Sequence, residues 1–297
     1  LFTRTKKWKD EAGVSARSGL SSESSGFFNS SVWGQFDSLS ATILLGVLYL
    51  MFLKQRSSAV ALFIVSILTK PQSAFLAPVV VYLFFAVAFN WRTLFSSLLA
   101  GGVVYLGLTH PFSHGRPVYW LFEHYFRSGG DYPYATANAF NLWTLLGGQT
   151  VQDSTPFLGL TFAAWSLIFL VLSCLVVLVF LRRRQAYLFS WFFSAYFLAL
   201  TVFFLGPRMH ERYLFPALIF LTALVLWDRV FFLPLVILSG CHLANQWYIY
   251  ELARKGKYWA PRFDLFASVI AVITLVVLLQ AAGYLLRNLR LPAAQRV

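Results

Sequence analysis

A short charged turn between two apolar runs carries the side chains with the clearest chemistry. The turn is Gly206-Pro-Arg-Met-His-Glu-Arg-Tyr-Leu-Phe-Pro216, and its ionisable residues are Arg208, His210, Glu211 and Arg212. Charges are costly next to hydrocarbon, so such a cluster is typical of a binding site or a pathway. Guanidinium forks suit phosphate oxygens, and a helix starting after Pro207 would add a positive dipole end. On such a helix Arg208 and Arg212, four positions apart, would share one face. The turn predicts a pocket for a phosphate or pyrophosphate at the membrane surface; a solvated turn with a Glu–Arg pair is the alternative.

Two more polar motifs adjoin the first apolar segments. The stretch Trp33-Gly-Gln-Phe-Asp37 places Gln35 and Asp37 at the mouth of a helix. Asp37 would be either a helix N-cap or a group that binds a sugar hydroxyl or orients a base. Lys70-Pro-Gln72 interrupts an apolar stretch, which predicts a polar notch inside the bundle. Its lysine and glutamine would contact a lipid phosphate or carrier, and snorkelling toward the interface is the alternative.

Residues 110–157 form a long loop that is rich in aromatic and amide side chains. Loops of this length are usually functional or disordered, and the aromatic content argues against disorder. Asn138, Asn141 and Trp143 are the candidates for substrate binding, because amides bind hydroxyls and indole rings stack on the C–H faces of sugars. An aromatic belt at the membrane interface is the alternative for these residues.

The sequence gives little support for a metal ion or a soluble cofactor. His110 and His114 have an i, i+4 spacing, but Pro111 between them disfavours a helix. The sequence contains no Walker loop, no dinucleotide glycine fingerprint and no Gly-x-Ser-x-Gly motif. We therefore expect neither a metal nor a cofactor.

Composition identifies a polytopic membrane protein. Of the 297 residues 59% are hydrophobic and only 12% are charged, with a mean hydropathy of +0.67. A soluble domain carries about 25% charged residues. The net charge of +13 would suggest a nucleic-acid partner in a soluble protein. In a membrane protein the excess of Lys and Arg in cytoplasmic turns explains it, so we expect no nucleic acid.

Apolar segments must position the polar motifs, and they predict an all-α transmembrane helix bundle. The predicted segments are 39–53, 59–69, 73–89, 93–109, 158–181, 187–205, 216–227, 230–250 and 265–286. In this alternation the short basic turns fall on one side, which we assign to the cytoplasm of a cell (inner) membrane. All the polar motifs then face the non-cytoplasmic side.

The chain divides into a polar segment and a membrane domain. Residues 1–30 are polar and predicted to be poorly ordered, whereas 31–297 form the transmembrane domain with its external loop 110–157. Because the chain begins with Leu1 and not with Met, we expect a fragment whose N-terminal part is missing.

The four motifs, taken in order, resemble those of membrane glycosyltransferases of the GT-C superfamily. They are most similar to bacterial relatives of the eukaryotic glucosyltransferases that use dolichyl-phosphate glucose. Those enzymes show a Lys-Gln pair followed by a proline, an Asn-Phe-Trp loop and a His-Glu-Lys turn. Here Pro71 separates the lysine from the glutamine, Pro78 follows, and Arg212 replaces the family lysine. The resemblance covers about residues 31–250.

The resemblance implies an inverting hexosyltransferase that works on the non-cytoplasmic face. The donor would be a polyprenyl-phosphate sugar and the acceptor a glycan or lipid-linked molecule. His210 and Arg212 would bind the donor phosphate and Glu211 would orient them, with Arg208 and Lys70 nearby. The family's catalytic base is an Asp of the first external loop, which would precede Leu1. We therefore expect an incomplete chain without the base, and Asp37 is not assigned to that role.

Two other classes of membrane protein are alternatives. A transporter or flippase of an anionic lipid or sugar would also need membrane charge, but it predicts sites near the bilayer midplane and paired broken helices. The sequence contains one such notch, at Lys70-Pro-Gln72, without a counterpart in the second half. A structural membrane subunit predicts no clustering of charge on one face.

Overall fold

The computed structural model describes residues 36–86, 90–128, 130–184 and 188–290, and most of them are helical. The predictions for Gln35 and for residues 1–30 lie outside the described residues. The α-helices in chain order are α1 (Asp37–Phe52), α2 (Arg56–Thr69), α3 (Ala77–Ala86), α4 (Trp91–Thr109), α5 (Trp120–Ser128), α6 (Leu142–Leu145), α7 (Phe162–Arg183), α8 (Leu188–Leu205), α9 (Phe215–Val225), α10 (Phe232–Arg254) and α11 (Leu265–Arg290). Short 3-10 helices span Pro71–Leu76, His110–Phe112 and Arg229–Phe231, and an antiparallel hairpin pairs β1 (Pro156–Phe157) with β2 (Leu160–Thr161).

Five helical segments within the described part of the chain are long and apolar enough to cross a membrane. They are Trp91–Phe112, Phe162–Arg183, Leu188–Leu205, Arg229–Arg254 and Leu265–Leu289. The other apolar segments, which include α1, α2 and α9, have 10–17 residues each. A full crossing needs about 20 residues. The structure is therefore a helical membrane bundle, as predicted, and its described part combines long helices with shorter ones.

Helix α8 forms the centre of the bundle. It is apolar on every side, and a helix of that kind is normally buried on every side. It packs against α7, α9 and α11, and Phe193 of α8 is completely buried. The Phe193 ring contacts Phe180 of α7 at 5.5 Å and Tyr284 of α11 at 5.1 Å between centroids.

The bundle has two chemically different ends, as the alternation of turns predicts. At one end, which we call the basic end, Arg183 donates a hydrogen bond to the Leu289 carbonyl and Arg184 donates one to Asn288. At the opposite end, which we call the loop end, the loop 130–157 meets the turn 206–214. There the Ala137 N–H donates to the Met209 carbonyl at 2.9 Å. Two turns from each of the groups that the sequence analysis separated by charge thus meet in space.

Candidate functional site

Five ionisable side chains from three parts of the chain meet at the loop end. We call them the charged cluster: Asp37, Lys70, His210, Glu211 and Arg212. The Lys70 ammonium contacts the Asp37 carboxylate directly. The Arg212 guanidinium donates to Glu211 at 2.9 Å, and His210 Nδ1 lies 3.9 Å from the second Glu211 oxygen. Lys70 Nζ and the Arg212 guanidinium carbon lie 5.0 and 5.2 Å from the centroid of one ring, that of Tyr213.

The cluster forms where three short helices begin or end. Asp37 is the first residue of α1, Lys70 follows the last residue of α2, and the turn 206–214 precedes α9. An acid at a helix N-terminus and a cation at a C-terminus both suit the helix dipole. The prediction that Asp37 caps α1 is wrong, because the capping position is Phe36 and carries no side-chain bond. These helices have 16, 14 and 11 residues, so none of them crosses a bilayer of ordinary thickness alone.

The cluster is recessed below the end of the bundle. Helices α8 and α9 run antiparallel, and the rings of Phe192 and Phe220 lie 6.4 Å apart. Phe215 is therefore level with about Phe197, while α8 continues to Leu205, about 12 Å further along its axis. The turn 206–214 must therefore return through that distance along the bundle before α9 begins. Glu211 accordingly has only 2% of its surface exposed.

The turn 206–214 is irregular, which contradicts the expectation of a new helix after Pro207. Arg208 has a left-handed backbone with φ of 59°, and α9 begins only at Phe215. The Arg208 N–H donates to the Tyr134 carbonyl at 2.9 Å. In the first turn of a helix this N–H would have no hydrogen-bond partner within the helix, so the loop 130–157 supplies the acceptor instead. Arg208 and Arg212 consequently do not share a helix face. The Arg208 side chain pairs with Asp153 at 2.6 Å and so joins the turn to the loop.

Burial and the neighbouring cations set the protonation of the cluster. Burial first, and then Arg212, lowers the pKa of Lys70 to about 7, although Glu211 raises it. Asp37, in direct contact, also favours the ammonium form. Burial, then Arg212 and Lys70, lowers the pKa of His210 to about 4, so this imidazole is neutral at pH 7. Burial raises the pKa of Glu211, against the opposing effect of Arg212.

Asn138, a predicted substrate-binding residue, is 5% exposed and has its side chain occupied by protein groups. Its Nδ2 donates to the Tyr258 carbonyl at 2.8 Å. Its Oδ1 accepts from Gln149 Nε2 at 2.8 Å and from the Ala260 N–H at 3.0 Å. Asn138 therefore joins the loop 130–157 to the loop 255–264.

Asn141 and Trp143 also lie inside the loop, although we expected them to contact a sugar. Asn141 caps α6 by accepting from the Trp143 and Thr144 N–H groups, and its Nδ2 donates to the Phe203 carbonyl at 3.2 Å. Trp143 is 1% exposed and donates its indole N–H to the Leu205 carbonyl at 3.1 Å. Both residues hold the loop on α8. An asparagine before a helical turn is a capping signal, and it could have indicated this role from the sequence.

Gln72, the other polar residue predicted at the notch, lies in the 3-10 helix that follows Lys70 and is half-buried.

Sequence reasoning missed two aromatic groups beside the cluster, Tyr132 and His242. The Tyr132 ring meets the His210 ring edge-on at 5.1 Å between centroids. His242 of α10 is 1% exposed, and its ring lies 5.8 Å from that of Phe215, at the start of α9. No local signal marks either residue, because each reaches the site through contacts that are distant in sequence.

The geometry suits the binding of one anionic group in the recess. Lys70 and Arg212 supply two partly exposed cations, each with a carboxylate partner, and neutral His210 can supply an N–H donor. The carboxylates keep the cations in position and limit the cost of burying them. No protein-family model and no curated protein matches this chain.

Proposed function

We propose that this chain is an integral-membrane glycosyltransferase. It moves a hexose from a polyprenyl-phosphate sugar donor to a lipid-linked or surface glycan acceptor on the non-cytoplasmic face. The observation that carries the proposal is the meeting of Lys70 and Arg212 around one Tyr213 ring in a recess of the bundle. These cations come from two separate motifs of the glycosyltransferase-like set.

The proposal includes a GT-C-like arrangement of nine membrane segments. The five long helical segments would cross the bilayer, and the four shorter apolar segments would cross or enter it. A shorter segment can end below the surface when its polar end lies in a cavity within the protein. The recess that holds the charged cluster would be that cavity, open to a lipid whose phosphate lies near the membrane surface.

The cluster's part in the reaction would be electrostatic. The acceptor oxygen bonds to the anomeric carbon, the bond from that carbon to the donor phosphate oxygen breaks, and its electron pair stays on the phosphate. Lys70 and Arg212 stabilise the growing negative charge, and His210 donates a hydrogen bond. Glu211 holds the Arg212 guanidinium at 2.9 Å. Asp37 is 2% exposed and holds Lys70, and no described residue is assigned as the base that takes the acceptor proton.

The experiment that tests the proposal compares two arginines in otherwise similar ion pairs. Arg212 pairs with Glu211 in the recess, and Arg254 pairs with Glu251 at the end of α10, both at 2.9 Å. Binding of a short-chain polyprenyl-phosphate glucose to the detergent-solubilised protein is measured for wild type, Arg212→Ala and Arg254→Ala. A lost charge-assisted contact of about 1.5–3 kcal/mol corresponds to a loss of affinity of about tenfold to 150-fold. We expect that loss for Arg212→Ala alone.

Equal affinity in all three proteins would refute the phosphate site, as would equal binding of a polyprenyl glucoside that lacks the phosphate. Release of polyprenyl phosphate with transfer of labelled glucose to membrane glycans would support the enzyme and would mean that the catalytic base lies within this chain. Movement of the intact lipid between vesicle leaflets, without cleavage, would support a flippase instead.

A further inference from the structure

Three aromatic side chains form a surface beside the charged cluster. We call Tyr132, Tyr134 and Trp259 the aromatic platform. Trp259 meets Tyr134 edge-on at 5.5 Å and Tyr132 at 6.2 Å between ring centroids. Tyr132 is 48% exposed and Trp259 is 37% exposed. The rings therefore fix one another's orientation and still present apolar surface to the outside.

Trp259 is held from both sides by a single side chain. Asn138 donates to the carbonyl of Tyr258 and accepts from the N–H of Ala260, the two residues that flank the tryptophan. Gln149 donates to the same Asn138 oxygen, which fixes the orientation of the amide group. Asn138 has a φ of 70°, in the left-handed region that asparagine adopts more readily than most residues.

This clamp distinguishes Trp259 from a tryptophan of an interfacial belt. A belt residue partitions into the headgroup region through its own amphipathic ring and needs no fixed position in the protein. A ring that binds a ligand by stacking gains affinity when its position is fixed in advance, because less freedom is lost on binding. The buried Asn138 thus fixes the backbone on which one half-exposed indole stands.

The platform adjoins the anion site. The Tyr132 ring contacts the ring of His210 at 5.1 Å, and His210 belongs to the charged cluster. A molecule that lies on the platform would therefore be next to a phosphate bound at Lys70 and Arg212. The platform itself consists of uncharged rings with phenol and indole polar groups, a combination that suits a neutral ring with an apolar face and hydroxyl edges.

We propose that the aromatic platform binds a pyranose ring of the substrate by stacking, with Trp259 as the main contact and Asn138 as its positioning residue. This inference rests on the proposed function for the identity of the ligand as a sugar. It assigns the sugar contact to half-exposed Trp259 instead of buried Trp143, the residue that the sequence analysis named.

The test uses saturation-transfer NMR with methyl glucoside, methyl mannoside, methyl galactoside and phosphocholine, added to the full chain in detergent. The variants are Trp259→Ala, Trp259→Phe and Trp91→Ala; Trp91 is an exposed tryptophan at the basic end. We expect at least one glycoside to bind to wild type and to Trp91→Ala. Affinity should fall about tenfold or more in Trp259→Ala and less in Trp259→Phe.

Folding of the variant can be checked separately, because Trp259→Ala removes neither of the backbone groups that bind Asn138. Its thermal unfolding midpoint should stay close to that of wild type. No glycoside binding to wild type, equal binding in Trp259→Ala, or binding of phosphocholine alone would overturn the proposal.

A second measurement identifies which sugar the platform holds. Short-chain polyprenyl-phosphate glucose and the same polyprenyl phosphate without glucose are compared for binding to wild type and to Trp259→Ala. If the donor sugar lies on the platform, the affinity for the glucose lipid falls in the variant while that for polyprenyl phosphate stays as in wild type. If the acceptor sugar lies there, both lipids bind the variant as they bind wild type while the affinity for the methyl glycoside falls. Glycoside binding needs no phosphate contact, so its failure is separate from a failure of the Arg212→Ala experiment.

Discussion

Lys70 should make the binding of a phosphate lipid depend on pH near neutrality. The pKa of Lys70 is about 7, chiefly because of burial and then because of Arg212. A bound phosphate favours the ammonium form and raises that pKa. The complex then binds more protons than the empty protein between the two pKa values, so affinity must fall as pH rises through that window. Below about pH 7 the lysine is charged in both states and its contribution is fully present.

The size of the effect follows from the contact energy. A charge-assisted contact of about 1.5–3 kcal/mol raises the pKa of the lysine by about 1–2 units on binding. The window would then extend from about pH 7 to about pH 8 or 9. Across it the affinity should fall by a total of about tenfold to 150-fold and then level off.

The assay measures the dissociation constant of a short-chain polyprenyl-phosphate glucose from about pH 6 to about pH 9.5. This range includes the whole interval over which the charge of Lys70 should differ between the free protein and the complex. This donor is a phosphodiester, so its single acidic group stays ionised and contributes no titration of its own. Lys70→Arg should bind with little pH dependence, because a guanidinium keeps its proton. Lys70→Met should bind weakly at every pH, and Lys54→Met, at the basic end, should behave as wild type.

The pH effects of the other titratable groups around Lys70 can be distinguished from that of Lys70 in this experiment. With a pKa of about 4, His210 is neutral throughout the range, and burial raises the pKa of Tyr213 above its ordinary value. The Glu211 carboxyl, whose pKa is raised by burial, would weaken anion binding as it ionises, and that dependence would survive in Lys70→Arg. Asp37→Asn removes a charge that favours the ammonium form, so the midpoint should move to lower pH. Wild-type affinity that is constant across the range, or equally pH-dependent in Lys70→Arg, would refute the role of Lys70.

Three further predictions concern the frame of the site. Glu211→Ala should lower the free energy of unfolding by about 3–5 kcal/mol, because it leaves the partly buried Arg212 guanidinium without its carboxylate. Thermal unfolding in detergent measures this change, and a loss below about 1 kcal/mol would contradict the pairing. Gly147→Ala should lower the free energy of unfolding by about 1–2 kcal/mol, because Gly147 has a φ of 72° and the new methyl group would clash with the Phe263 ring. An unchanged thermal unfolding midpoint would contradict the left-handed turn. In a background without native cysteines, a cysteine at Lys257 should react with an impermeant maleimide added to intact cells and one at Gln55 should not; the reverse pattern would invert the proposed orientation.

Helix positions were predictable from the sequence because hydropathy is a local signal. The predicted segments 39–53 and 265–286 match α1 and α11 within a few residues at each end. In a membrane each backbone group must find its partner within the segment, so an apolar run of sufficient length specifies a helix without knowledge of its neighbours. The same counting of charges separated the turns of the basic end from those of the loop end.

The interior of the loop end was not predictable in this way. The turn 206–214 is irregular because Arg208 bonds to Tyr134, a partner that no local pattern identifies. Trp143 was expected to stack on a sugar, but its side chain is buried and its N–H bonds to Leu205 at the end of α8. Those motif residues that the structure describes therefore meet at one end of the bundle, as the grouping of the turns predicts. The division of that group into cluster and scaffold depended on contacts between distant segments.

The charged cluster explains why the recess can exist in an apolar bundle and why it suits an anion. Four of its groups form two carboxylate–cation pairs, Asp37 with Lys70 and Glu211 with Arg212. With both cations and both carboxylates charged, the formal charges of these four groups cancel, which limits the cost of burying them. A phosphate adds negative charge, and the group that can respond by taking up a proton near pH 7 is Lys70, whose pKa is about 7. Burial holds this pKa below its ordinary value, and a bound anion opposes that shift. The same burial that makes the cluster costly thus makes it responsive to the charge of a phosphate.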